Sequence, residues 1–394
     1  MVAPPPGNPR FELLDGLRAI AALSVVAFHA IVYARYFPGW QGAYVRQLSS
    51  GVTIFFLLSG FLLYRPFVAA RVTGRARVRL RDYTRRRLLR IVPAYWLALT
   101  VLALWPGLPG DPFGSDWWRY YFFVQDYHKL SLFGGLGTAW SLGTEVTFYL
   151  ALPFYAFALD RLVSRRSLRT LVVTELVTLG ALSVFTLGFR GYASTTRPHL
   201  GYTLLGTFDW FALGMALAVI SVAVEQSSRR SPSAVRLVVR FPWLCWAAAF
   251  GAVTVGAVYW ERTGRYDAYT AGPLHLIWAA IAFFLLLPGV FPGDGRGAPR
   301  RLLSTRLLAW LGIVSYGIYL WHLPLIPKVG AAASDILGVG KGGLPFTVLL
   351  ILLVAGVTVA CAATSYYLVE RPILRLKNGF RRTPPGQHEL GVGR

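Results

Sequence analysis

Apolar segments long enough to cross a membrane recur along this chain of 394 residues, with polar segments between them. A membrane-spanning helix needs about 20 mostly apolar residues. Ten segments have or approach that length: 13–34, 51–70, 91–106, 138–159, 170–188, 202–223, 242–260, 272–291, 307–327 and 343–368. The pattern therefore predicts an all-α polytopic bundle of about ten transmembrane helices.

The loops between the predicted spans alternate between a basic set and a set with few basic residues. The basic set holds 26 Lys and Arg, against 10 in the other set, and consists of 71–90, 160–169, 225–241, 293–306 and 371–382. Loops rich in Lys and Arg remain on the cytoplasmic side of a membrane. We therefore expect both termini in the cytoplasm and a multi-pass protein of the cell membrane.

Composition agrees with a membrane protein, since 55% of the residues are hydrophobic and only 14% are charged. A soluble protein has nearer a quarter of its residues charged. The net charge of +23 would suit nucleic acid, but the basic loops account for it. We expect membrane lipid and no nucleic acid as a partner. The two cysteines lie in apolar segments without metal-ligand spacing, so no metal site is predicted.

The domain organisation is simple. We predict a disordered lead over 1–12, one membrane domain over 13–376 and a disordered cytoplasmic tail over 377–394. The longest loop with few basic residues, 107–137, is rich in Trp, Tyr, Gly and Asp. Such aromatic residues form an interfacial belt in membrane proteins, and they would also suit a lid or a surface on which sugars stack.

Arg18 and His29 both lie within the first apolar segment. Ionisable groups at membrane depth are costly, rare and usually functional. Eleven residues make about three helical turns, which places both side chains on one face, roughly 16 Å apart. His29 could be a neutral imidazole bonded to the backbone, a general base or a covalent acyl carrier, and sequence does not separate these roles.

Glu145 and His322 are two further ionisable residues in predicted spans. The predicted orientation places them and His29 at a similar depth, towards the outer surface. A membrane disfavours isolated charges, so we expect the three to lie close together or to share a wet cavity. The alternatives are a structural hydrogen bond from Glu145 to Trp140 or Ser141, and an ordinary interfacial position for His322.

Arg87 and Arg90, at the start of the third predicted span, share one helical face. Two forked guanidinium groups suit a polyphosphate ligand, although cytoplasmic charge bias and anionic lipid would also explain them. Ser59 and Gly60 form a small pair in the second span, which permits close helix packing or a narrow passage. Ser59 is not expected to be a nucleophile, since no adjacent base is evident.

Six segments together resemble acyltransferase family 3, the integral-membrane O-acyltransferases of bacteria. They occur in the family's order, cover nearly the whole chain, and are 14–22 with His29, 55–61, 87–95, 140–145, 315–322 and 369–372. The resemblance implies transfer of an acyl group, usually acetyl, from acyl-CoA to a hydroxyl. It also implies that Arg18 and His29 form the family's essential Arg-x10-His element, and that Arg87 and Arg90 form its Arg-x-x-Arg element near the donor.

We therefore predict an O-acyltransferase that modifies a carbohydrate-containing acceptor, either a cell-surface polysaccharide, a glycolipid or a macrolide sugar. The predicted catalytic residues are His29, Glu145 and His322; the predicted donor-binding residues are Arg18, Ser59, Arg87 and Arg90. Acetyl-CoA would be a substrate, and no permanently bound cofactor is expected.

A membrane transporter or flippase for a glycolipid or other solute is the alternative function. Such proteins often contain internal repeats with broken helices, and no repeat is evident in this sequence. Some members of the resembled family carry a fused esterase-like domain, and we expect this chain to act without one.

Overall fold

The computed structural model of the protein describes residues 11–37, 39–74, 78–163, 166–227, 231–263, 268–291, 297–338 and 340–376. Every regular element in these ranges is helical, and ten helices are long and apolar enough to cross a membrane. The all-α prediction is confirmed. The cytoplasmic position of both termini stays a prediction, because no bilayer is present to define the two sides.

The elements are described here by their bounds in chain order. The α-helices are α1 (Glu12–Ala34), α2 (Gly39–Arg46), α3 (Gly51–Thr73), α4 (Leu80–Leu104), α5 (Trp117–Tyr121), α6 (Trp140–Val163), α7 (Leu168–Thr196), α8 (Leu204–Gln226), α9 (Ser233–Arg240), α10 (Pro242–Thr263), α11 (Ala268–Val290), α12 (Ala298–Leu303), α13 (Arg306–Leu337), α14 (Leu344–Ser365) and α15 (Arg371–Leu376). A π-helical turn, Tyr366–Glu370, joins α14 to α15.

The helix boundaries differ from the apolar segments mainly at α4 and α13. Helix α4 begins at Leu80, well before the predicted span 91–106, because arginine is a good helix former although it is not apolar. Helix α13 continues to Leu337 beyond the predicted 307–327. The predicted disordered lead and tail lie outside the described residues, apart from Phe11 and Glu12 at the start of α1.

The core depends on close approach between helix backbones. Helix α1 packs mainly on α13, which also packs on α14, and α3 packs on α8. A Cβ atom added at Gly60 of α3 would lie 2.2 Å from the carbonyl oxygen of Phe211 in α8, and one at Gly214 would lie 2.0 Å from that of Leu57. Gly60 of the second span therefore has the packing role that small residues usually have in membranes.

A buried ionic cluster joins α3 to α6 and α7. Arg71 forms ion pairs with Asp160 and Glu175, and the Tyr64 hydroxyl donates a 2.6 Å hydrogen bond to Glu175. Burying such charges is costly unless each is paired and hydrogen-bonded, as these are. The cluster fixes how three helices meet away from the two histidines.

The connection from Trp105 to Ala139 is held against the end of the bundle by hydrogen bonds to its backbone. The Tyr95 hydroxyl donates to the carbonyl of Tyr120 at 2.8 Å, and Trp96 Nε1 donates to that of Tyr121 at 2.9 Å. These contacts fix the connection over the bundle.

Gly60→Ala should destabilise the bundle, because the added methyl group would overlap the Phe211 carbonyl and push α3 away from α8. Overpacking of this kind costs about 1–3 kcal/mol. Gly356→Ala in α14 is the matched control, since nothing lies within 4 Å of the added Cβ there. Thermal unfolding of the purified proteins in detergent should show a lower midpoint for the first variant only. An equal midpoint for both would contradict the packing.

Candidate active site

The structure brings His29 of α1 and His322 of α13 into direct contact. His322 Nε2 lies 3.2 Å from His29 Nδ1, and the ring centroids are 5.1 Å apart. His29 Nδ1 also lies 2.9 Å from the carbonyl oxygen of Val25, one turn earlier in α1. The expectation that these two residues meet is therefore met.

The hydrogen bonds determine which nitrogens of the pair carry protons. His322 Nδ1 lies 2.8 Å from the carbonyl oxygen of Tyr319, which can only accept, so Nδ1 is the protonated nitrogen and Nε2 of the neutral ring is an acceptor. His29 Nδ1 is then the donor to its two neighbours. Its Nε2 is left as a lone pair without a hydrogen bond in the described part of the chain, which is the state a general base requires.

His29 lines a cavity of about 750 Å³. Eight aromatic side chains line it, namely Phe28, Phe133, Trp140, Tyr202, Trp210, Trp260, Trp278 and Tyr319. The connection 105–139 contributes Pro109, Gly135 and Gly137, so it covers part of the cavity. The Trp and Tyr residues of this loop are not among the residues that line the cavity, so the interfacial belt and the lid or sugar-stacking surface both stay predictions.

Glu145 of α6 is paired differently from our expectation. Its Oε1 accepts a 2.7 Å hydrogen bond from Ser59 Oγ, and its Oε2 accepts a 2.9 Å hydrogen bond from the Tyr149 hydroxyl. Among the described residues it has no hydrogen bond to either histidine, nor to Trp140 or Ser141, the alternative partners. Helix α6 turns the carboxylate towards α3, a rotation that sequence periodicity alone does not define.

Tyr319 contacts His322 and lies near Glu145. Its ring centroid is 5.7 Å from that of His322. Its hydroxyl donates to the Thr138 carbonyl at 3.1 Å and lies 2.8 Å from Ser141 Oγ. Tyr319 was not predicted as a site residue. It precedes His322 by three residues, a spacing that places both on one helical face.

Three arginines lie close to one another near Glu145. Arg18 lies near Arg90 and Glu145, and Arg87 also lies near Arg90. The Nε atoms of Arg18 and Arg87 are buried without a hydrogen-bond partner in the described part of the chain. Buried guanidinium donors with unused hydrogen-bonding capacity are well suited to an anionic ligand.

Two more residues of this region were missed by the sequence analysis as site residues. Tyr149 follows Glu145 by four residues, a helical spacing that could have revealed it. Glu370, in the π-helical turn, accepts a 3.3 Å hydrogen bond from Ser365 and lies near Arg90. Glu370 belongs to the segment 369–372 that resembles the family, and no sequence spacing links it to Arg90.

Asp126 is a fully buried acid in the connection 105–139. A Cβ added at Gly143 would lie 2.3 Å from its Oδ2, so the carboxyl group is pressed against the first turn of α6. Burial raises the pKa of Asp126 well above its ordinary value. The connection that covers the cavity therefore contains a carboxyl group that favours the protonated form.

Comparison with known proteins gives a family match over most of the chain. The model of the acyltransferase domain family matches residues 11–366. The chain is 31% identical over 388 residues to YrhL of Bacillus subtilis, named "Putative peptidoglycan O-acetyltransferase", and 26% identical over 384 residues to the peptidoglycan O-acetyltransferase OatA of Listeria monocytogenes. No solved structure matches.

The match covers 93% of this chain in both relatives, but 55% and 56% of their own lengths. The O-acetyltransferase OatA of Staphylococcus aureus is similar over 93% of this chain and 57% of its own length, at 26% identity. The chain thus spans about half the length of the curated relatives it matches.

Asp126→Asn should flatten the pH dependence of stability. Because the folded chain retains a proton that the unfolded chain releases above about pH 4, wild-type stability should decrease as the pH rises from there towards the raised pKa. The amide cannot ionise and avoids this loss. Unfolding midpoints at pH 5 and pH 8 should diverge less in the variant than in the wild type. The control, exposed Asp335→Asn, should keep the wild-type difference, and an identical difference in all three proteins would contradict the buried acid.

Proposed function

We propose a function on the premise that this chain belongs to the acyltransferase domain family, whose model matches residues 11–366. The proposal is that it is a membrane O-acetyltransferase, which moves the acetyl group of acetyl-CoA to a hydroxyl of a carbohydrate acceptor. The observation that carries it is the position of His29, which lines a large aromatic cavity and has its Nε2 available as a base. The relatives' names support a peptidoglycan-type acceptor.

In this proposal the donor binds on the arginine side of Glu145. Arg87 and Arg90 hold the CoA phosphates, since forked guanidinium groups bind phosphate oxygens in pairs. Arg18 lies further along the same route. Its Nε is buried and has no hydrogen-bond partner within the described residues. This scheme uses acetyl-CoA as a substrate and needs no permanently bound cofactor.

The acetyl group then has to travel from the arginines to His29. Arg18 and His29 are separated by roughly 16 Å along α1, a distance that the extended pantetheine arm of CoA has to cover. Ser59 and Tyr149, both hydrogen-bonded to Glu145, border this route. Glu145 is then a positioning residue that holds both hydroxyl groups in place, and it takes no proton from the acceptor.

At the far end of the route, His29 Nε2 takes the proton of the acceptor hydroxyl. The hydroxyl oxygen attacks the thioester carbon, an ester bond forms, the carbon–sulfur bond breaks, and CoA leaves as the thiolate, which receives the proton from His29. His322 accepts the Nδ1 hydrogen bond of His29 and stabilises the imidazolium that forms between the two proton transfers. This is a general-base mechanism of the ordinary kind.

The transporter alternative has less support. It shares the requirement for a cavity within the membrane, but family membership favours acyl transfer over solute movement. A transporter also has no need for an imidazole held in one tautomer beside an aromatic wall. Movement of labelled solute into vesicles, without acyl transfer to any acceptor, would support it.

His29→Ala should lower acetyl transfer by about 10²–10⁴-fold, the usual contribution of a general base. The measurement is transfer of labelled acetyl from acetyl-CoA to cell-envelope glycan in membranes that contain each variant at matched amounts. The control is His128→Ala, an exposed histidine in the connection 105–139, which should transfer at the wild-type rate. Equal rates for the wild type and His29→Ala would refute the assignment.

The same preparation distinguishes a base from an acyl carrier. When the protein is incubated with labelled acetyl-CoA and no acceptor, a general base retains no label after denaturation. A carrier would keep an acetyl group on His29, and the label would disappear in His29→Ala. We expect no retained label.

Arg87→Gln should weaken binding of the donor more than it slows the chemical step. Loss of a charge-assisted hydrogen bond costs about 1.5–3 kcal/mol, which raises the KM for acetyl-CoA roughly 10–100-fold and leaves kcat near the wild-type value. Arg81→Gln, an exposed arginine of the same helix, is the control. Equal KM values for Arg87→Gln and Arg81→Gln would show that the basic block serves only orientation or lipid binding.

A further inference from the structure

The charged residues that line the aromatic cavity are of one sign. Arg46, at the end of α2, and Arg190, in α7, both contribute to its wall, and no Asp or Glu is among the described lining residues. The segments that supply these arginines carry few basic residues, so the positive-inside bias of membrane proteins does not explain them. A cavity for a neutral sugar would need hydrogen-bonding groups and aromatic faces, but no net positive charge.

Arg190 is held in a fixed direction by the backbone. Its Nη1 donates to the carbonyl oxygens of Gly201 and Gly206, at 2.9 Å and 3.2 Å. Its Nε is buried, and within the described residues it has no hydrogen-bond partner. Two carbonyls therefore orient the guanidinium without neutralising its positive charge.

Arg46 is held by aromatic rings. Its guanidinium carbon lies 4.4 Å from the ring centroid of Phe37 and 4.3 Å from that of Trp260. Stacking of this kind orients the plane of the group and leaves its edge free to form hydrogen bonds. No acidic side chain pairs with it among the described residues.

We propose that the acceptor carries an acidic substituent, and that Arg46 and Arg190 bind this substituent while the aromatic wall holds the sugar ring. This inference rests on the proposed function, in which the cavity receives the acceptor. An unpaired guanidinium in a partly enclosed site is costly, and an anionic group on the ligand removes that cost. The two arginines are then specificity-determining residues, and they take no part in the chemical step at His29.

Binding of matched sugars to the purified full-length protein tests the charge preference directly. The probes are N-acetylmuramic acid, its uncharged methyl ester, and N-acetylglucosamine 1-phosphate, which carries a phosphate at C1 and lacks the lactyl carboxylate at O3. We expect the wild type to bind the acid at least tenfold more tightly than the ester. Tight binding of the phosphate as well would show that the site recognises negative charge at either position, whereas weak binding of the phosphate would show that it recognises the carboxylate at its own position.

Variants assign the preference to the two arginines. Arg46→Gln and Arg190→Gln should each reduce the ratio of acid to ester affinity, with ester binding unchanged. Because Arg190→Gln also removes the hydrogen bonds to Gly201 and Gly206, Arg46→Gln is the cleaner variant. Arg262→Gln, an exposed arginine two residues beyond Trp260 and outside the lining, should keep the wild-type ratio.

Two results would overturn the inference: equal affinity of the wild type for acid and ester, or an equal loss of both in the arginine variants. Labelled acetyl transfer, measured in parallel, separates this failure from failure of the proposed function. Transfer without a charge preference would overturn the anion site alone. A charge preference without transfer to any acceptor would overturn the proposed function and retain the anion site.

Discussion

The cost of placing ionisable side chains inside a membrane is the constraint on which the site depends. Among the described residues near the site, the two histidines and Glu145 are paired, and the buried arginines keep donors that suit an anionic ligand. His29 and His322 share a hydrogen bond, and Glu145 accepts two. Arg18 lies near Glu145 and keeps a buried Nε without a partner in the described part of the chain. The interior therefore contains two regions. The histidine region consists of His29 and His322 beside the cavity, and the arginine region consists of Arg18, Arg87 and Arg90 near Glu145.

In the proposed function, this division explains why eleven residues separate Arg18 from His29. One helix would then carry a cation to the bound donor and a base to the bound acceptor, and its length between the two would be the distance over which the acetyl group is delivered. The helix can serve both regions because it packs closely on α13, which carries His322. In the further proposal, Arg46 and Arg190 bind an acidic substituent of the acceptor, because the described lining of the cavity contains no Asp or Glu.

Much of the fold was predictable because hydropathy reports directly on burial in lipid, and all ten predicted spans correspond to helices. The pairing of His29 with His322 was also expected, since isolated ionisable groups are disfavoured at that depth. The hydrogen bond between Glu145 and Ser59 was not expected. It depends on the rotation of α6 against α3, which the spacing of residues along α6 does not define. The cavity could not be predicted either, since its wall combines side chains from helices and loops far apart in the chain.

The central claim is that donor and acceptor regions meet at His29. A structure of the full protein with a non-reactive analogue of acetyl-CoA, in which the thioester sulfur is replaced by carbon, tests it most directly. The account predicts phosphates at Arg87 and Arg90, and an acyl carbonyl that faces the cavity beside His29 Nε2. An analogue that binds with its acyl group remote from His29, or with its phosphates in the aromatic cavity, would contradict it.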